Sequence, residues 1–258
     1  MTPYEQWISY YTIVRKDVVR VLRVWPQTFL PSIVTSALYF LIFGAFLGSR
    51  IGQLQGVSYI EFVVPGLVML SVVMNSYMNS SFAMFSSKFF NRNIDELLVS
   101  PTPPWVIVAG FVSSAMLRGV ITGVLVLTVA LFFTHLSIHS IGIVALFIVL
   151  TSLIFALAGL VNGVYAKSID GINIVPTFVL TPLVYLGGVF YSTELLPSFW
   201  STLTKFDPIF YLINGLRYGF LGIADVSLLT SLAILVVLAG ALLATSLYLI
   251  RTGLGLKQ

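Results

Sequence analysis

The chain reads as an all-α integral membrane protein with six transmembrane helices, an expectation that rests on three observations. Of its 258 residues, 58% are hydrophobic and only 9% charged, where soluble domains run at about a quarter charged. Mean hydropathy is +1.02. Apolar runs close to the length needed to cross about 30 Å of hydrocarbon recur from end to end. Membrane strands would alternate apolar and polar positions, whereas Ile141 to Leu160 is apolar on every face apart from occasional Ser, Thr and Gly. A helix satisfies its own backbone groups in lipid, so helices are the expected spanning elements.

The runs place spans at Phe29 to Leu47, Phe62 to Phe85, Trp105 to Phe133, Ile141 to Val164, Ile172 to Tyr191 and Leu228 to Ile250. No small-residue cleavage pattern follows the first run, so it is expected to stay as a span and not to be removed as a signal peptide. Basic residues then orient the chain. Arg15, Lys16, Arg20, Arg23, Lys88, Arg92, Lys167, Arg251 and Lys257 fall on one side, against Arg50, Lys205 and Arg217 on the other. Nine against three puts both termini in the cytoplasm. Arg118, inside the third span, is expected to snorkel to the cytoplasmic headgroups, with an ion pair as the alternative.

Ahead of the first span, Tyr4, Trp7, Ile8, Tyr11, Val14, Val18, Val21 and Trp25 recur at helical spacing while Arg15, Lys16, Arg20 and Arg23 take other faces. Residues 1–27 therefore read as an amphipathic helix in the cytoplasmic interface, ended by Pro26. It serves as a simple anchor or, on a sharper reading, also docks a cytoplasmic partner.

Two connections are longer than a turn requires, which usually marks structure or function. In the cytoplasmic one, 86–104, Asn93 can cap a short helix with Asp95 and Glu96 in its first turn, where the positive helix end favours carboxylates. Leu97, Leu98 and Val99 supply an apolar face, and Pro101, Pro103 and Pro104 stiffen the exit. A solvated loop is the plainer alternative. In the external one, 192–227, Asp207-Pro208 starts a helix that Ile209, Leu212, Ile213, Leu216 and Phe220 continue and Gly219 or Gly222 can end. With Leu195, Leu196, Phe199, Trp200 and Phe206 before it, the segment is too apolar for an exposed loop and is expected to re-enter the outer leaflet.

Cysteine is absent, which removes disulfides, thiolate metal sites and thiol nucleophiles. The basic residues are scattered through short loops, so nucleic acid is not an expected partner. No phosphate-binding G-x-x-x-x-G-K-[ST] loop, H-E-x-x-H or G-x-S-x-G occurs. His135 and His139 lie four apart without a carboxylate nearby and read as interfacial histidines, not a metal pair. No catalytic residue, metal site or cofactor is expected. Polar positions remain inside two spans: Ser71, Asn75 and Asn79 on one face of the second, and Thr177, Thr181 and Tyr185 on one face of the fifth. They line a path or hydrogen-bond between helices. With no charge deep in either stripe, amphipathic, lipid-linked or drug-like cargo is favoured over small ions.

Leu180, Leu183, Leu186, Gly187, Val189, Leu196, Pro197, Pro208, Ile209, Tyr211 and Arg217 stand at the spacings of the ABC-2 permease signature. The chain resembles that family over nearly its whole length, as a single transmembrane domain. The resemblance implies a bacterial inner-membrane exporter: a permease homodimer working with separate ATPase subunits that bind ATP and magnesium. It also implies that Arg92 to Pro101, containing Glu96-Leu97-Leu98-Val99-Ser100-Pro101, is a coupling helix whose contacts are Arg92, Asp95, Glu96, Leu97 and Leu98. Ser100 stands where the family usually has Thr, and Asp207 where it often has Asn; both keep the relevant side-chain oxygen. The main alternative is an ATP-independent secondary transporter or channel, for which intramembrane carboxylates or a repeat between halves would be expected. A structural scaffold would leave the signature unexplained.

The orientation is open to direct test, since no native cysteine interferes. Single cysteines at Ser9, Ser137 and Thr202 should give labelling by an impermeant reagent in intact cells only at the last two positions. Labelling of Ser9 from outside would invert the topology.

Overall fold

A computed structural model of the chain describes residues 1–90, 92–134, 136, 138–193 and 196–256, and the side chains of these except at 45 and 49. His135, Leu195 and Lys257 lie outside the described residues. Helix α1 spans Pro3–Arg23 and starts in a capping box: Glu5 N donates to Thr2 Oγ1 at 3.3 Å and Thr2 N to Glu5 Oε2 at 2.8 Å. Pro26 does not end this helix. It sits in the first turn of α2 (Trp25–Phe40), where an N–H would have no intrahelical partner anyway. Helix α2 runs on through a π-helical stretch, Leu41–Gly48, into α3 (Ser49–Ile51). A two-residue hairpin follows, β1 (Gln53–Leu54) against β2 (Val57–Ser58), with Gln53 opposite Ser58. Gln55 and Gly56 turn it with φ of 51° and 82°, the left-handed pair that such tight hairpins need.

The remaining helices are α4 (Tyr59–Phe89), α5 (Asn93–Val99), α6 (Pro104–Ala130), α7 (Ile141–Tyr165), α8 (Ile169–Val175), α9 (Thr181–Leu186), α10 (Ser198–Thr204), α11 (Pro208–Leu221) and α12 (Leu228–Thr252). Among the described residues, six stretches are long and apolar enough to cross a membrane: 25–48, α4, α6, α7, 169–186 and α12. Each overlaps a run read from the sequence. The fifth is shifted, because α8 and α9 are joined by a π-helical stretch at Pro176–Leu180 and the helix stops before Gly187 and Gly188. Pro182 has no N–H to give to a carbonyl, and Thr181 Oγ1 donates to Pro176 O at 2.8 Å; such wide turns are tolerated where side chains re-satisfy the freed backbone.

Helix α4 is the hub. Of its most apolar window 72% is buried, against 12% in the first span and 22% in the fifth. Glycines allow this. On α6, Gly123 lies where a methyl would meet Val72 Cγ2 at 2.7 Å; on α7, a methyl at Gly163 would meet Ser81 O at 2.6 Å, and one at Gly159 would collide with Tyr77 O. Close backbone approach through small residues is what drives helix association where lipid removes the hydrophobic difference. Polar contacts add to it: Asn162 Nδ2 donates to Ser81 Oγ at 2.9 Å, and Lys88 Nζ to Val164 O at 3.1 Å and Gly255 O at 2.6 Å. The last of these ties the C-terminal turn to the end of α4.

The apolar stripe expected on α1 is divided. Ile13, Asp17 and Val21 are buried, with Ile13 against Gly110 of α6, while Tyr4, Trp7, Ile8, Tyr11 and Trp25 are exposed. Asp17 joins the buried row because Ser114 Oγ donates to it at 3.1 Å and Arg20 Nη2 lies 3.4 Å away. A carboxylate counts as polar in any periodicity reading, so this row was not visible in the sequence.

The hub packing predicts a ranking. Gly159→Ala should destabilise the protein by about 1–3 kcal/mol, because the atom in the way is a backbone carbonyl and α4 as a whole must move. Gly240→Ala on α12, with open space at its Cβ position, should be neutral or mildly stabilising. Thermal unfolding in detergent measures both; equal midpoints would refute the hub assignment.

Candidate functional site

Three constellations draw together the polar residues of an otherwise apolar molecule. The first is built on α11. Asp207 Oδ1 accepts from Ile209 N at 2.8 Å and so caps the helix, while burial pushes the Asp207 carboxyl up to about 7 against the opposing pull of that bond. Three turns on, Arg217 is almost fully buried, at 1% exposure. Its Nη2 donates to Gly188 O at 2.7 Å, Nη1 lies 3.8 Å from Asp225 Oδ2, and the guanidinium carbon sits 3.9 Å from the centre of the Phe62 ring. Asp225 also accepts from Thr193 Oγ1 at 2.8 Å and from Gln55 Nε2 at 3.4 Å. Asn214 Oδ1 receives Asp225 N at 2.7 Å and Val226 N at 3.2 Å, and its Nδ2 donates to Val226 O and Ser231 Oγ at 2.9 and 3.1 Å.

Around this clamp the other signature residues seat the chain. Gly187 is narrow enough for the end of α9 to lie against the start of α11, where a methyl would meet Ile209 Cγ2 at 3.1 Å. Pro208 occupies the first turn of α11 and Pro197 precedes α10. Tyr211 Oη donates to Lys205 O at 2.7 Å, and Leu196 is half-buried.

The second constellation is a groove of about 270 Å³ lined by α2, α4 and α9. Ser71, Asn75, Thr181 and Tyr185, four of the six residues named as path candidates, line it together with Ser32, Thr35, Ser36 and Tyr39 of α2. Asn75 Nδ2 bridges α4 to α2 by donating to Ser32 Oγ at 3.1 Å. The α2 residues were missed, although their steps of three and four put them on one helix face. Thr177 is exposed on the π-helical stretch, and Asn79 lies beyond the groove.

Asn79 belongs to the third constellation. Its Oδ1 accepts from Arg118 Nη1 at 3.2 Å and from Arg20 Nη2 at 3.5 Å. Arg118 therefore turns inward onto α4, whose Asn79 offers it an amide oxygen, where snorkelling was expected. No residue of either stripe is itself charged, but Arg20 and Arg118, from α1 and α6, bring positive charge to the Asn79 end of the α4 stripe.

On the opposite connection, α5 begins at Asn93, and Arg92, with φ 51°, takes the residue before it; no side-chain cap bond is made there. Ile94 is fully buried, and Leu97 and Leu98 pack against the core around Ile107 and Ile250. Asp95 and Glu96 are exposed and Val99 is 89% exposed. Ser100 Oγ closes the helix by donating to Leu97 O at 2.8 Å. His139 stands edge-on to Tyr218, with ring centres 5.6 Å apart.

A family model described as ABC-2 type transporter matches residues 8–221. The chain belongs to that family. It is 51% identical over 252 residues to the inner membrane transport permease YadH of Escherichia coli (strain K12), covering 98% of both chains. Nodulation protein J of Rhizobium leguminosarum bv. viciae is 26% identical over 233 residues, covering 86% of this chain and 88% of the relative. As an ABC-2 transporter, the chain is a membrane protein of transport type, and the signature that carried the resemblance lies inside the matched region.

The clamp makes a specific prediction. Arg217→Ala leaves Asp225 buried without its cation and should cost about 3–5 kcal/mol, whereas replacing the pair together, Arg217→Met with Asp225→Leu, should recover part of the loss. Thermal unfolding in detergent checks it. Should the single variant unfold like the parent, the clamp is not what holds this end.

Proposed function

We propose that this ABC-2 transporter is the permease subunit of a bacterial inner-membrane exporter, working as a homodimer with both termini in the cytoplasm and driven by a separate ATPase. The carrying observation is the construction of α5. Ile94, Leu97 and Leu98 anchor this short helix to the transmembrane core, and Asp95, Glu96 and Val99 are left on its outer face. Such an element receives force without bending. Carboxylates on the outer face suit basic groups on a partner, with Val99 as an apolar contact between them and Arg92 at the helix entrance. Leu97 and Leu98 act from behind, passing movement to α6 and α12. Partner states that bind this face with different affinity then shift the permease between inward- and outward-open forms.

The groove on α2, α4 and α9 is the translocation path in this reading, walled on its open side by a second copy. The first and fifth spans are the least buried, and Thr35 and Thr177 are exposed on them; polar side chains at membrane depth call for protein or a cavity as neighbour, not lipid. The exposed aromatics of α1 lie in the cytoplasmic interface, and α10 and α11 re-enter the outer leaflet, with α11 packed against α4, α7 and α12. A groove of hydroxyls, one amide and tyrosines fits amphipathic, lipid-linked or drug-like cargo. ATP and magnesium are held by the partner.

The test uses the permease alone and with its cognate ATPase in proteoliposomes. The isolated chain should hydrolyse no ATP, and the pair should form a stable complex. Glu96→Ala should weaken assembly or uncouple hydrolysis from transport, by about 2–5 kcal/mol where the carboxylate is buried against a cation at the interface; Lys205→Ala, on the opposite side, should change neither. Hydrolysis by the chain alone, or unchanged assembly and coupling in Glu96→Ala, would defeat this reading.

A further inference from the structure

The transport reading leaves the third constellation without a role. Two guanidiniums, from α1 and α6, converge on one neutral amide oxygen of α4. Among the described residues Asp17 is the carboxylate within ion-pair distance of Arg20, at 3.4 Å, and it also accepts from Ser114. One positive charge is thus balanced and one is not. The donors are in excess as well: Arg118 Nε and Asn79 Nδ2 are buried without a hydrogen-bond partner. Buried donors left unmade are costly, and guanidinium donors form their strongest bonds to oxyanions.

The charge continues outward from this point. Arg20 also lines an open groove of about 540 Å³ along one face of α1, with Arg15, Lys16, Arg23, Tyr11 and Val19. Its guanidinium lies 5.6 Å from the ring of Phe82, an exposed residue of α4. Basic groups that can surround an anion therefore stand next to apolar surface that can carry a chain. On α4, Asn79 follows Asn75 by one helical turn, about 6 Å, and Asn75 lines the proposed path. A head group held at Asn79 would stand at the cytoplasmic entrance to that path.

We propose that Arg20, Arg118 and Asn79 bind the phosphate head of an anionic amphiphile. The assignment deepens the transport reading, on which its role as an entrance site rests, by naming the chemistry of the cargo's head.

Native mass spectrometry of the purified full chain, titrated with phosphatidic acid, phosphatidylcholine or inorganic phosphate, tests it. Phosphatidic acid should be retained at least about tenfold more tightly than phosphatidylcholine, and Arg20→Gln and Arg118→Gln should each remove about that factor, the usual worth of one charge-assisted hydrogen bond. Asn79→Asp puts a carboxylate between the guanidiniums, keeps the packing, and should abolish the preference even if an arginine variant fails to fold. Arg50→Gln, on the opposite side, should leave it intact. Equal retention of the two lipids, or a preference that survives Asn79→Asp, overturns the site. Inorganic phosphate binding as tightly as phosphatidic acid overturns the amphiphile assignment. No ATPase enters the measurement, so its failure is separable from a failure of ATPase coupling.

Discussion

The position of Arg217 is the constraint on which this molecule depends most. A guanidinium is out of place in so apolar a protein unless its charge is answered, and here the answer draws on four separate pieces of chain. Gly188 supplies a carbonyl, Phe62 a ring face and Asp225 a carboxylate, while Gln55 and Thr193 hold the carboxylate in place. The hairpin after the first span, the start of the second, the end of the fifth and the turn into the sixth are thereby fixed to α11. Breaking the Arg217–Asp225 contact would leave a buried charge unpaired, so this end behaves as one block.

The two ends of the molecule follow different physics. At the Arg217 end, the block is held by a buried charge network. At the other end, α5 is held by apolar contacts through Ile94, Leu97 and Leu98 and keeps its carboxylates exposed. Between them, glycines on α6 and α7 let α4 come close enough for its backbone to be touched, which makes the three helices a stiff core. The first and fifth spans stay outside that core, and both contain a π-helical stretch. In the proposed mechanism these loosely held spans move against the core when α5 is displaced, and the groove between them opens or closes.

The cationic cluster at Asn79 adds a chemical gradient to this mechanical picture. Arginines surround the lower end of the α4 stripe, and hydroxyls and an amide surround the groove one turn above. In the reading proposed here a charged head is gathered at one end and handed to a neutral passage, where weaker polar contacts permit release.

The sequence by itself determined the class of fold, the six spans and the family. Hydrocarbon thickness demands long apolar runs, and the backbone's need for internal hydrogen bonds allows only helices to fill them. Local chemistry was legible as well: Asp207-Pro208 starts α11 and Gly222 ends it, because caps and turns act over a few residues. Tertiary structure alone decided which polar residues meet. Arg118, expected to snorkel to the headgroups, meets Asn79 instead, and Asp17, a charge on an otherwise apolar buried row, accepts from Ser114 Oγ. Ser32, absent from the sequence reading, holds Asn75, and Leu97 and Leu98, named among the coupling contacts, pack against the core. Such pairings join residues tens of positions apart on different helices. The rotation of each helix about its axis, which sets them, comes from where small residues let backbones approach, and no single stretch of sequence contains that information.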